Sequence, residues 1–323
     1  MKRRLRDLSA AALRIARAVA VRGGGALVVL LLLATLVFLA LRVLPGDPAA
    51  LVLGDQSSDA DRAVLRHRLG LDRSLVLQYL DFLRGLFTLD LGDSLARPGT
   101  KAFEEVGRAL GPTAAMASVA VGFGALLGIF AALLSVGPWL GRRREWAHRG
   151  ILAVAATPLL AFAPILTFVV AVELRLVPLP GDPESDVGGL LFASGLLALP
   201  LAAQVGRISR AALLDQSRAK FLDVATAKGA SSVRVWVLHA LPAASAPIAV
   251  VIATQLGALL GGAVVLERLF ERPGLGTLML NAYAARDIPV LEASVIAAGL
   301  LFVLAQAAAA ALHASIDPRG QET

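Results

Sequence analysis

Apolar blocks of about 20 residues, the length a helix needs to cross a hydrocarbon core, recur six times along this chain, over 26–44, 112–136, 150–172, 188–206, 247–266 and 291–313. The pattern therefore predicts an all-α polytopic membrane protein with about six transmembrane helices. In the first block no charge occurs before Arg42, whose long stem is expected to snorkel its guanidinium to the interface. Ahead of it, Lys2, Arg3, Arg4, Arg6, Arg14, Arg17 and Arg22 alternate with Leu5, Leu8, Ala12, Ile15 and Val19 at helical spacing. That makes 1–25 an amphipathic interfacial segment. A basic end before an apolar run also describes a cleaved secretory signal, but this run is too long and leads into further spans, so it reads as a retained signal anchor.

Composition sharpens this picture. Hydrophobic residues make up 57% of the chain and charged residues 17%, which excludes an ordinary soluble domain. The chain has no cysteine, so disulfide scaffolds, iron–sulfur clusters and thiol nucleophiles drop out. The net charge of +7 is read as basic residues retained in cytoplasmic loops, not as nucleic-acid binding. Loop 137–149 holds Arg142, Arg143, Arg144 and Arg149, whereas 173–187 has Arg175 against Glu173, Asp182, Glu184 and Asp186. Loop 207–241 is again basic. Both termini are then expected in the cytoplasm, with 45–111 an extracytoplasmic helical loop, 112–313 the core, and 314–323 a cytoplasmic tail.

The spans lack what an ion-coupled secondary transporter or a membrane-embedded enzyme would need, a chain of carboxylates or histidines or a nucleophile beside a base. Their polar residues include Gln204, Thr254 and Gln255, which either line a pore or bond neighbouring helices. No phosphate loop, H-E-x-x-H pair or G-x-S-x-G elbow occurs, and the four histidines are scattered, so no metal site is expected. Gly124/Gly128 and Gly257/Gly261 let helices approach closely, within the chain or at a subunit seam.

The loop over 207–241 is too long for a mere connection. Ser217 is a candidate N-cap for a helix over 218–228, with Phe221, Val224, Ala225 and Lys228 on one side. Gly229 is suited to close it in the left-handed conformation, and Ser231 or Ser232 to cap a second helix toward Leu241 and Pro242. Two short capped helices form a stiff projection; an interfacial helix lying on headgroups is the other reading.

Asp223-Val224-Ala225, then Gly229, then Leu241-Pro242 resembles the E-A-A…G…L-P loop of bacterial ABC transporter permeases, with Asp223 and Val224 departing from that pattern. Ala227-Lys228-Gly229, His239-Ala240-Leu241, Leu44-Pro45-Gly46-Asp47-Pro48, Leu91-Gly92-Asp93-Ser94, Glu267, Phe270 and Pro273-Gly274-Leu275-Gly276 are similar to the dipeptide, oligopeptide and nickel importer branch. The resemblance implies a type I importer permease in the bacterial inner membrane, forming half of a translocation pathway for peptides or similar small solutes. It implies no catalysis and no cofactor in this chain, with ATP and Mg used by partner subunits. The implied partners are a second homologous permease subunit in a heterodimer, two ABC ATPase subunits and an extracytoplasmic solute-binding protein. Phe221, Asp223, Val224, Ala225, Ala227, Lys228 and Gly229 would form the ATPase-coupling element.

Overall fold

Helices dominate because backbone polar groups that cross hydrocarbon must be satisfied within their own segment. The computed structural model describes residues 24–42, 57–68, 70–181 and 186–316; the amphipathic segment expected over 1–25 and the motif at 44–48 fall largely or wholly outside them. The helices are α1 (Gly24–Arg42), α2 (Asp59–Arg68), α3 (Leu75–Thr88), α4 (Ala102–Val136), α5 (Arg144–Ala156), α6 (Leu159–Thr167), α7 (Asp186–Gln216), α8 (Lys220–Ala227), α9 (Ser232–Ala243), α10 (Ser245–Leu269), α11 (Leu275–Ala284) and α12 (Ile288–Ile316). Four of them, α1, α4, α7 and α12, are long and apolar enough to cross a membrane, or up to six spans if two bent pairs each count as one.

Two compact units divide the chain. The first comprises the residues up to Gly107 with Leu278–Val303. Its core is Ala34 and Phe38 of α1, Phe82 of α3 and Ile296 of α12, with the Phe38 and Tyr79 rings edge to face at 5.2 Å. Arg42 is paired. Its Nη1 donates to Glu292 Oε1 at 2.6 Å and its guanidinium lies 3.8 Å from the Phe38 ring centroid. A buried glutamate on α12 is its charged partner, and a half-buried arginine loses less by pairing than by staying alone. The connection after α3 is tied down in the same way: Ser94 Oγ and the Ala96 N–H both donate to the buried Asp287 carboxylate. Nearby, Lys101 Nζ is 2.8 Å from Asp90. That hydrogen bond, with help from the Gly92 N–H, holds the exposed Asp90 carboxyl below the usual carboxylate range.

The second unit, Arg108–Thr277 with the residues from Leu304 onward, is built on α4, α7 and α10. Here Gly124 and Gly128 have their intramolecular role: a Cβ on Gly124 would lie 2.5 Å from Leu201, and one on Gly128 would lie 2.7 Å from the Ala202 carbonyl oxygen. The two helices meet backbone to backbone there. α4 begins at Ala102, ten residues before the expected start of its span, and carries Pro112 inside it.

The block expected as a single span over 150–172 is a bent pair of helices. α5 and α6 meet at 103°, because Pro158 has no N–H to donate and holds Thr157 extended at φ −93°, ψ 119°. The fifth block likewise belongs to a bent pair, with α9 meeting the start of α10 at 65°.

The glutamate, proline and glycines between α10 and α11 form one cap. Glu267, 1% exposed, accepts from the Gly276 N–H at 2.7 Å and the Thr277 N–H at 3.2 Å, and from the Thr113 hydroxyl of α4 at 2.5 Å. Thr113 Oγ1 in turn accepts from the Leu275 N–H at 2.8 Å. Two side chains from two helices thus satisfy the first three donors of α11, which would otherwise be buried without partners. Gly274 is required beside them, since a Cβ there would overlap the Glu267 carboxylate.

Glu267→Leu should cost on the order of 3 kcal/mol or more, as it strands buried N–H groups, while Glu267→Gln keeps an acceptor for them and should be milder; thermal unfolding in detergent reads the difference. Gly128→Val should overpack the α4–α7 contact by about 1–3 kcal/mol, whereas Gly122→Ala on the same helix, with open space around its Cβ, should raise the melting temperature slightly, since alanine is the better helix former.

Candidate functional site

The projection expected over 207–241 is present as a helix–turn–helix. Ser217 is not its N-cap: its hydroxyl donates to the Leu214 carbonyl at 2.6 Å, which continues the end of α7. The chain turns out at Ala219, in extended conformation, and α8 starts at Lys220 without a side-chain cap. Asp223 lies in its first turn, where a negative charge suits the helix dipole.

α8 ends in a Schellman closure. The Ala230 N–H donates to the Ala225 carbonyl at 3.2 Å and the Gly229 N–H to Thr226 at 2.9 Å. Gly229 takes φ +84°, the left-handed conformation expected of it. Ser231 then accepts from the Arg234 N–H and caps α9, whose later part, Trp236–Ala240, widens into a π-helical turn.

The orientation of α8 depends on a residue that the one-sided pattern over 221, 224, 225 and 228 passed over. Leu222 is 5% exposed and joins the main core of the second unit; Ala225, Ala230, Trp236 and Leu241 pack against that core from the same loop. Ala225 therefore belongs to the anchored side. Phe221 and Val224 are 44% and 52% exposed, and Asp223, Ala227, Lys228 and Gly229 are exposed with them. In an eight-residue helix both 221/224/228 and 222/225 are helical stripes, and only the location of the bundle decides between them. The result is a short helix pinned from below, presenting two apolar side chains, a carboxylate and an ammonium outward.

The three polar span residues do not share one environment. Gln204 on α7 accepts from Arg207 Nη2 at 2.6 Å. Thr254 on α10 is exposed, and its hydroxyl donates to its own helix, to the Val251 carbonyl at 3.0 Å. Gln255 is half-buried. Separately, in the first unit, a cavity of about 570 Å³ is lined by Arg42, Gln78, Asp81, Asp93, Ser94 and Glu292 among others.

Residues 124–321 match the family described as binding-protein-dependent transport system inner membrane component. Residues 15–99 match the N-terminal region model of such membrane components. The chain is 32% identical over 304 residues to the glutathione transport system permease protein GsiC of Salmonella choleraesuis, covering 91% of this chain and 95% of that one. It is 31% identical over 310 residues to a Brucella abortus protein provisionally named as a peptide transport system permease protein, with the same coverage. Among solved structures it resembles a chain of the methionine ABC transporter MetNI in inward-facing conformations, with a TM-score of 0.54 at 18% identity, over 66% of this chain and 96% of that one; this likeness concerns the fold. The chain belongs to the binding-protein-dependent transport system inner membrane component family and is a multi-pass inner-membrane permease subunit of an ABC importer.

Proposed function

We propose that this permease carries small peptides or peptide-like solutes, that both its termini lie in the cytoplasm, and that α8 is the element through which a separate ATPase drives it. The relatives named for glutathione and peptide transport support the solute class, and the basic loops over 137–149 and 207–241 support the orientation. The partners would be a second homologous permease in a heterodimer, two ATPase subunits that hold the ATP and Mg, and a solute-binding protein outside. This chain would bind no cofactor and hydrolyse nothing.

One observation carries the coupling role: α8 is fixed to the core by Leu222 while Phe221 and Val224 stay exposed on its far side. Apolar side chains held outward on a rigid base suit a cleft in a partner. Closure of the ATPases on ATP would displace α8, and its anchor would pass the displacement to the bundle. Asp223 and Lys228 would pair with charges on the partner, and Gly229 would set the angle between α8 and α9. Gln204, Thr254 and Gln255 remain the candidates for contact with solute in the pathway.

Gly229→Val should lower solute uptake roughly tenfold with ATP hydrolysis and membrane insertion retained, because a β-branched residue at positive φ costs about 1–3 kcal/mol. Normal uptake in proteoliposomes would defeat the lever. Since the chain has no cysteine, a single Ser232→Cys reports orientation: a membrane-impermeant maleimide should label it in inside-out vesicles and not in intact cells, and the reverse would refute the topology.

A further inference from the structure

We propose that the segment between α4 and α5 is a binding surface for anionic phospholipid headgroups. The argument begins with the outward side of α4, where Phe123, Leu126, Leu127 and Phe130 are 41%, 69%, 48% and 59% exposed. Such a face suits hydrocarbon. The helix ends at Val136, and a 3₁₀ turn over Pro138–Arg143 follows, bent at Gly141 with φ +50°. Gly137 has no room for a Cβ, which would meet the Trp139 ring, so this indole folds back toward the helix end. Beyond it, Arg142, Arg143, Arg144 and Arg149 are all exposed.

Among the described residues a single carboxylate is paired with any of these arginines, Glu145 at 3.9 Å from Arg149. Trp146 is 71% exposed, with the Arg149 guanidinium 5.5 Å from its ring centroid. The order along the chain is thus an apolar face, an indole, a triple arginine and a second indole. An anionic phospholipid has the matching order: acyl chains for α4, an interfacial layer in which indoles settle, and a phosphate that accepts bidentate hydrogen bonds from guanidinium. An acidic protein surface would match the arginines and leave the apolar approach unused.

The test uses the assembled transporter containing this chain, passed through detergent and examined by native mass spectrometry for retained phosphatidylglycerol and phosphatidylcholine. Wild type should retain phosphatidylglycerol in clear preference. The variant R142Q/R143Q/R144Q should lose up to about a hundredfold of that preference, given roughly a fivefold contribution from each basic residue near an anionic headgroup, and R142K/R143K/R144K, which keeps the charge without the bidentate fork, should fall between it and wild type. Equal retention of both lipids by wild type overturns the proposal without any variant, should the glutamine triple fail to insert. An assembled glutamine triple with unchanged phosphatidylglycerol overturns it too. So does loss of a protein subunit with lipid retention intact, which would assign the arginines to a protein partner.

Discussion

The structure rests on a requirement imposed by its solvent: a backbone donor or acceptor removed from water must find a partner in the protein. Helix interiors meet it automatically. Helix ends do not, and two buried carboxylates in this apolar chain serve them. Glu267 and Thr113 serve the start of α11. Asp287 accepts from the Val290 N–H at the start of α12 as well as from Ser94 and Ala96, so the carboxylate that begins one helix also moors the connection after α3. In each case one side chain both caps a helix and joins it to another segment. That double duty explains why a few buried carboxylates suffice to order long apolar helices whose surfaces carry little positional information of their own.

A comparable economy shapes α8, which is stiff, attached and exposed at once. Stiffness comes from the closure at Gly229 and the Ser231 cap, attachment from Leu222, and exposure from Phe221 and Val224. None of these is costly alone; the combination within the eleven residues from Phe221 to Ser231 is what an ordinary surface loop lacks.

Much of this was legible in the sequence, for physical reasons that also explain the rest. Hydrocarbon thickness makes span length readable, and the positive φ of Gly229 follows from its place after a helix with no competing glycine. The G-x-x-x-G spacing in α4 signalled close approach, although only the structure names Leu201, Ala202 and Val205 as the opposing atoms. Other features turn on tertiary placement. Leu222 and Phe221 are equally apolar, and nothing local says which faces the bundle. Among the described residues, left-handed backbone after a helical segment falls on Leu89, Arg175, Glu271 and Arg286 instead of glycine, where composition gives no warning. Arg42 was readable as a charge near an interface, while its partner lies 250 positions away in sequence. Pro158 was visible throughout, yet a proline inside an apolar block can either kink a span or divide it, and the side chains around it decide.

The division at Pro158 bears on the backbone groups at the corner. Thr157 and Leu160 sit exposed between α5 and α6, with Leu160 66% accessible. The Thr157 N–H donates to the Val154 carbonyl and its hydroxyl to Ala153, which closes the last turn of α5, while the Pro158 carbonyl accepts from the Ala161 and Phe162 N–H groups and opens α6. A residue with no N–H at the break removes the one donor that such a bend would otherwise strand.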